Sequence, residues 1–90
     1  MAKRPVVASG GRLSPERAFG RTLREIRRRR LLSQEELGAA SGYHRTYIGQ
    51  LERGEKSPSL RTIFNLSATL RVSASDMVRR AERLSSIHPK

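Results

Sequence analysis

The sequence has no cysteine and no tryptophan, and only two tyrosines and two phenylalanines occur among its 90 residues. Without cysteine the chain can form neither disulfide bonds nor thiolate metal sites, so its stability must come from packing alone. Long apolar runs are also missing, and residues 1–8 lack the apolar stretch of a signal peptide. We therefore expect a cytoplasmic protein without a membrane partner.

Acidic residues are scarce, with 8 Asp and Glu against 19 Lys and Arg, which gives a net charge of +11. Such a field attracts polyanions and makes nucleic acid the first partner to test. Hydrophobic residues make up 36% of the chain and are clustered, so the composition does not fit a disordered polycation. A chain this short forms one domain at most and leaves no room for a separate catalytic domain.

Catalytic and metal-binding patterns are also missing from the sequence. An enzyme needs a nucleophile beside a base, paired carboxylates in a cleft or a set of metal ligands, and none occurs at a credible spacing. The two histidines, His44 and His88, have no cysteine or carboxylate cluster at ligand spacing. We predict a protein that is not an enzyme and that needs no metal and no cofactor.

Composition along the chain divides it into three parts. Residues 1–13 combine basic residues with a Gly-Gly pair, which predicts a flexible basic N-terminal arm. Residues 14–84 carry the apolar periodicity of a folded domain, and residues 85–90 form a C-terminal tail. The domain should therefore start at Ser14, a helix-capping residue placed before a proline.

Capping signals and apolar spacing predict five short helices and no strand, an all-α fold. The first three should cover about residues 15–30, 34–41 and 45–53. Ser33 with Glu36, and Ser73 with Asp76, form capping boxes ahead of the second and fifth helices. Apolar residues at helical spacing mark the fourth and fifth helices: Leu60, Ile63, Leu66 and Leu70, then Met77, Val78, Ala81 and Leu84.

Residues 34–53 meet the spatial demands of a helix-turn-helix unit. The second helix crosses the third at Gly38, where only a very small side chain fits, and Gly42 opens the turn in a left-handed conformation. A shared core is predicted from Leu37, Ile48 and Leu51. The second helix of such a unit fits a major groove about 12 Å wide. Its exposed face is predicted to hold Arg45, Thr46, Gly49 and Gln50.

Several motifs of this chain resemble the Xre/Cro/CI family of lambda-repressor-like domains over about residues 15–84. They are Leu32-Ser-Gln-Glu-Glu-Leu37, Gly42, Arg45-Thr-Tyr-Ile48, Leu51-Glu-Arg-Gly54 and Pro58-Ser-Leu60. The resemblance implies a compact five-helix DNA-binding domain with the helix-turn-helix at helices 2 and 3. The Arg-Thr-Tyr-Ile string and the length of the chain are also similar to controller proteins of restriction–modification systems.

The resemblance also implies roles for individual residues. It implies contacts to base edges by Arg45, Thr46 and Gln50. Gln34 should bind a phosphate and buttress the recognition helix, and further contacts to the DNA backbone are expected from His44, Tyr47 and Arg53. A structural pair between helix 1 and the end of the recognition helix is implied for Arg27 and Glu52.

Three features of the sequence depart from a simple pattern. His44 stands at the cap of the recognition helix, where a histidine should cap poorly, and it either weakens the helix start or touches a phosphate. Gly49 costs stability inside a helix, and close approach to DNA would explain its presence. The run Arg27–Arg30 is interpreted as mostly solvated charges with Arg27 turned inward, rather than as a phosphate-binding patch.

The leading prediction is a transcriptional regulator that binds a pseudo-palindromic operator in double-stranded DNA as a homodimer formed through helix 5. RNA polymerase is a further candidate partner, and both activation and repression stay open. The alternative is a protein-interaction module of the same fold, such as an antitoxin or a coactivator. A third alternative is a nonspecific cationic binder of RNA or DNA.

Overall fold

A computed structural model describes residues 12–87 of the chain. Five helices lie in this range: α1 (Pro15–Arg29), α2 (Gln34–Ser41), α3 (Arg45–Glu52), α4 (Leu60–Leu70) and α5 (Ala74–Leu84). The described residues contain no strand beyond an isolated bridge between Leu13 and Ser85. The predicted all-α fold with five helices is therefore confirmed. None of the described helices is both long enough and apolar enough to cross a lipid bilayer.

Every helix begins at a side chain that accepts a hydrogen bond from a backbone N–H of the first turn. Ser33 and Glu36 form the predicted reciprocal capping box at the start of α2. The second predicted capping box is only half formed. Ser73 accepts from the N–H of Asp76, but the Asp76 carboxylate binds Arg79 and Arg80 instead of the backbone N–H of Ser73. An aspartate is one methylene shorter than the glutamate that completes this motif.

The core lies between α1 and the other helices, with α1 packed against α3 and α5. Its buried apolar residues include Phe19, Leu23, Ile26, Leu37, Ile48, Leu51, Leu66, Leu70 and Met77. The face of α5 that was predicted for self-association is wrong, because Met77 and Ala81 are buried within the monomer. Leu84 packs against the core as well, and of the four named residues only Val78 is exposed, at 45%.

Both ends of the described chain meet beside α5. The backbone N–H of Leu13 donates to the carbonyl of Leu84 at 3.2 Å, and the N–H of Ser86 donates to the carbonyl of Leu13 at 2.8 Å. The packed body therefore reaches slightly beyond the predicted bounds of 14–84. Residues 1–11 of the predicted arm and residues 88–90 of the predicted tail, His88 included, lie outside the described residues.

Two glycines mark the places where helices cross at close range. A Cβ atom on Gly38 would collide with the carbonyl oxygen of Tyr43, which explains the small residue that was predicted there. A Cβ on Gly20 would collide with the carbonyl oxygen of Leu51 and lie 2.6 Å from that of Glu52. Sequence reasoning missed Gly20, whose only signal is a glycine inside an otherwise regular helix. It lets α1 touch the end of α3.

The run of arginines at the end of α1 is divided between three environments. Arg27 is buried, whereas Arg28 and Arg29 are exposed, in agreement with the predicted division. Arg30 differs, because its Nε donates to the carbonyl of Leu70 at 2.9 Å and its Nη2 to that of Arg71 at 3.2 Å. It therefore satisfies carbonyl groups at the C-terminus of α4 that the helix leaves free.

Candidate nucleic-acid interface

Helix α3 has one face in the core and one face open to solvent. Ile48 and Leu51 are fully buried, and they hold the helix against α1 and α2. Arg45 and Thr46 are exposed and Gln50 is half-buried, so the three residues predicted to contact bases are available on the outer side. Residues three and four apart lie on the same side of a helix, which brings Thr46 and Gln50 together.

A partly buried network of three side chains fixes this helix from beneath. Arg27 donates to both carboxylate oxygens of Glu52, from Nε at 2.6 Å and from Nη2 at 3.0 Å, and from Nη1 to the carbonyl of Leu32 at 2.7 Å. Nε2 of Gln34 donates to Oε1 of Glu52 at 3.0 Å. The Arg27 and Glu52 side chains are only 9% and 3% exposed, and the hydrogen bonds that Arg27 donates to Glu52 raise the pKa of Arg27.

The same network sets the position of Gln34 at the start of α2. Its amide nitrogen faces the Glu52 carboxylate, since a carboxylate only accepts hydrogen bonds. The first N–H groups of a helix have no partner within that helix and attract anions. The Ser33 hydroxyl already accepts from the N–H of Glu36. Gln34 thus combines a fixed side chain with the backbone N–H groups of Gln34 and Glu35, which is an arrangement suited to a phosphate.

Gly49 is buried, which corrects its predicted place on the exposed face of α3. A Cβ on this residue would lie 3.0 Å from Nη1 of Arg53 and 3.6 Å from Oε1 of Gln34. The glycine is therefore covered by two side chains of the protein. Its small size makes room for Gln34 and Arg53, where the sequence suggested close approach of DNA.

His44 caps α3 through its imidazole ring, although the sequence predicted a poor cap there. Its Nδ1 accepts a hydrogen bond from the backbone N–H of Thr46 at 3.0 Å. Asparagine places an oxygen acceptor two bonds from Cβ, and Nδ1 of histidine occupies an equivalent position. The other ring nitrogen, Nε2, carries the proton of the neutral ring and is free to donate to a phosphate from this exposed residue.

The two tyrosines of the turn and of α3 are held by α4. The rings of Tyr43 and Tyr47 lie 5.3 Å apart between centroids and are tilted by 52°. The hydroxyl of Tyr47 shares a hydrogen bond of 3.2 Å with the hydroxyl of the buried Thr62, and Asn65 donates to the hydroxyl of Tyr43 at 2.9 Å. Tyr47 thus packs against the protein and keeps its oxygen at a polar cluster near the surface.

Both arginines of the outer surface are paired with carboxylates. Nη1 of Arg45 lies 3.1 Å from Oε2 of Glu35 on α2. Arg53 donates to Glu55 from Nε at 2.6 Å and from Nη2 at 3.4 Å. This second pair lowers the pKa of Glu55 and raises that of Arg53. Sequence reasoning did not single out either glutamate, although Glu35 directly follows Gln34.

A family model described as helix-turn-helix matches residues 23–77, which include α2, α3 and α4 in full. The chain belongs to the helix-turn-helix family. The resemblance to the Xre/Cro/CI domains is thereby confirmed, and the family is one of DNA-binding transcriptional regulators rather than of enzymes.

Two curated relatives are control proteins. C.BamHI of Bacillus amyloliquefaciens is 39% identical over 61 residues, which cover 67% of this chain and 75% of that protein. C.SmaI of Serratia marcescens is 45% identical over 49 residues, which cover 54% of this chain and 58% of that protein. These two control proteins are about as small as the domain described here.

Two solved structures share the fold. The restriction–modification controller protein C.AhdI of Aeromonas hydrophila has a TM-score of 0.66 and 39% identity, and the match covers 68% of this chain and 92% of that chain. The regulator SinR, solved in complex with DNA, has a TM-score of 0.64 and 26% identity, with coverage of 67% and 97%. The predicted lambda-repressor-like architecture is confirmed by these matches.

Proposed function

We propose that this regulator recognises a specific pseudo-palindromic operator in double-stranded DNA as a homodimer, in the manner of a restriction–modification controller protein. The observation that carries the proposal is the presentation of α3. Its buried side is fixed by Arg27, Glu52 and the core, and its outer side offers Arg45, Thr46 and Gln50. A rigid helix with varied polar groups on one side is suited to reading base edges in the major groove.

Each outer residue matches a different base-edge pattern. The guanidinium of Arg45 fits the O6 and N7 acceptors of guanine, and the amide of Gln50 fits N7 and the amino group of adenine. Thr46 is short, and it offers a methyl group to thymine or one hydrogen bond. These three residues would supply sequence preference within one half-site.

A second set of residues would fix the register of the protein on the DNA backbone. Gln34 with the free N–H groups of α2, Nε2 of His44, the Tyr47 hydroxyl and the Arg53 guanidinium are the proposed phosphate contacts. Such contacts carry affinity but no direct sequence information. For a dimer that neutralises about 6–10 phosphates, affinity should fall about 10³- to 10⁵-fold between about 50 and about 200 mM salt.

Dimerisation is proposed because one recognition helix reads too few base pairs for high affinity. The exposed side of α5 at Val78 lies in a groove that Ile63 and Ile87 also line, with Phe19 at its base. We place the contact with a second copy here, on the outer face of α5, instead of on the buried Met77 side.

The proposed homodimer would act in the cytoplasm, with RNA polymerase as a further partner at the promoter.

Selection of bound sequences from a random duplex pool, combined with sedimentation, tests this function. We expect a symmetric motif whose half-sites lie about 10 bp apart or a multiple of that distance, and a dimer at micromolar concentration. Arg45→Ala should relax the preference at one position of each half-site, whereas Gln34→Ala should weaken selected and scrambled duplexes by similar factors. A monomer on an asymmetric site, or a salt response that is flat, would contradict the proposal.

A further inference from the structure

The two ion pairs on the outer surface of the helix-turn-helix differ in how much of the arginine they occupy. Arg45 has a single contact with Glu35, from Nη1 at 3.1 Å. Arg53 makes two contacts with Glu55, and its remaining terminal nitrogen, Nη1, lies over Gly49. A guanidinium has five N–H donors in a planar fork. Arg45 therefore keeps one edge of its fork, Nε with Nη2, without a carboxylate, whereas Arg53 has that edge filled.

We propose that Glu35 is a specificity-determining residue, which positions Arg45 for base recognition while it compensates the charge that would draw Arg45 to phosphates. This inference rests on the proposed function of the chain. It goes beyond it by assigning the role to a residue of α2 that itself contacts neither base nor phosphate.

The geometry allows the pair to persist in the complex. Guanine needs two parallel donors for O6 and N7, and the Nε and Nη2 edge supplies them while Nη1 stays on Glu35. The carboxylate also stands in the first turn of α2, where the partial positive charge of the helix favours it. Arg45 is 64% exposed, so without Glu35 its long side chain would sample many rotamers before finding a base.

Charge compensation acts differently on the two kinds of DNA complex. Nonspecific binding comes almost entirely from neutralised phosphates, so an arginine that already has a carboxylate contributes little to it. A bidentate contact to guanine depends on hydrogen-bond geometry and remains available to the paired arginine. Through its charge Glu35 would therefore lower affinity for random DNA, whereas through its contact with Arg45 it would raise affinity for the operator.

Glu55 provides a matched control on the same surface. Arg53 must break its two contacts with Glu55 before it can reach a phosphate, in selected and scrambled duplexes alike. Removal of Glu55 should then raise the affinity for both duplexes by a similar factor. Both glutamates are exposed, so their replacement leaves the core untouched.

The experiment measures dissociation constants for the duplex selected by the wild type and for its scrambled counterpart, in one buffer, for the wild type and five variants, one of which is Arg45→Ala. Glu35→Ala should tighten scrambled binding about two- to fivefold and weaken selected binding, so the specificity ratio falls. Glu35→Gln keeps an acceptor for Nη1 but loses the charge; it should tighten scrambled binding and retain selected binding. Glu55→Ala should tighten both and keep the ratio.

The double variant Arg45→Ala with Glu35→Ala completes the test. If Glu35 acts through Arg45, its removal from the Arg45→Ala protein shifts both duplexes by the same factor. The inference is overturned if Glu35→Ala leaves the wild-type ratio unchanged, or lowers the ratio as much without Arg45 as with it. If the wild type itself prefers no duplex, the proposed function fails, and the role of Glu35 fails with it.

Discussion

Of the arginine–glutamate pairs at the recognition helix, the buried one and the one that holds Arg45 have opposite consequences. Arg27 and Glu52 are 9% and 3% exposed, and Arg45 and Glu35 are 64% and 72% exposed. A buried pair that loses one partner leaves a charge without water, whereas an exposed pair exchanges readily with solvent and contributes about 0–1 kcal/mol. Burial, rather than pairing, decides that the first stabilises the fold and that the second is available for binding.

The largest difference between the two sides is expected from removing each glutamate. Glu52→Ala should lower the free energy of unfolding by about 3–5 kcal/mol, because it strands the Arg27 charge and removes the partner of Gln34. Glu35→Ala should change it by less than about 0.5 kcal/mol, as surface substitutions do. Urea unfolding of both variants measures this contrast. Equal shifts in the two variants would show that the Arg27 pair is no more buried than the Arg45 pair.

Two glycines sharpen the same comparison. Gly20→Ala should cost about 1–3 kcal/mol, because the new Cβ meets the backbone of α3, which cannot move without separating the helices. Gly49→Ala meets only the ends of the Gln34 and Arg53 side chains and gains up to about 1 kcal/mol of helix propensity. Its stability should hold or rise while its affinity for DNA falls.

Thermal unfolding and binding to one duplex test these two variants together. The contrast is lost if Gly49→Ala destabilises the protein as much as Gly20→Ala does. The expected loss of DNA affinity is contradicted if Gly49→Ala binds DNA as tightly as the wild type.

A smaller effect is expected at the exposed start of the recognition helix. His44→Ala removes the acceptor for the Thr46 N–H and should cost about 0.5–2 kcal/mol. His44→Ser restores a capping oxygen and should recover the stability. Denaturant midpoints for the two variants check this expectation. The imidazole is not the functional cap if His44→Ala unfolds at the same midpoint as the wild type.

The smallest effect is expected on the stability of the protein at acid pH. The backbone N–H of Ser33 donates to the carboxylate of Glu36 at 2.8 Å, and this hydrogen bond lowers the pKa of Glu36 below its ordinary value. A group with a lowered folded-state pKa stabilises the protein above its unfolded pKa, and that contribution disappears as the pH falls through the folded pKa. Stability should therefore decline on the acid side in part through Glu36.

Glu36→Gln keeps an acceptor for the Ser33 N–H but does not titrate. Denaturant midpoints measured from about pH 6 to about pH 3 should fall less steeply for this variant than for the wild type. The pKa of Glu55 is also lowered, but Glu55 is present in both proteins and contributes equally to both slopes. Identical slopes for the two proteins would show that Glu36 does not contribute to the loss of stability at acid pH.

Local patterns predicted most of the fold. Serine caps and apolar spacing act between residues three or four positions apart, and the bounds of the first three helices, for which bounds were predicted, agree to within about one residue. The outer face of α3 was predicted at Arg45 and Thr46 for the same reason. Two errors were local, at the Ser73–Asp76 box and at the His44 cap. The others concern groups whose surroundings come from elsewhere in the chain, such as Gly49 beneath Gln34 and Met77 in the core.

The sequence by itself determined where the helices begin, which of their faces is apolar and that the chain is strongly basic, because these properties depend on composition and on neighbours within one turn. The family resemblance implied the pair of Arg27 and Glu52, and only the tertiary structure decided the other contacts between polar groups. Glu52 accepts from Arg27 across 25 positions and from Gln34 across 18. Glu35 reaches Arg45 across 10 positions, and Gly20 touches the end of α3. Such contacts depend on how the helices cross, and the packing of side chains in the core sets that geometry.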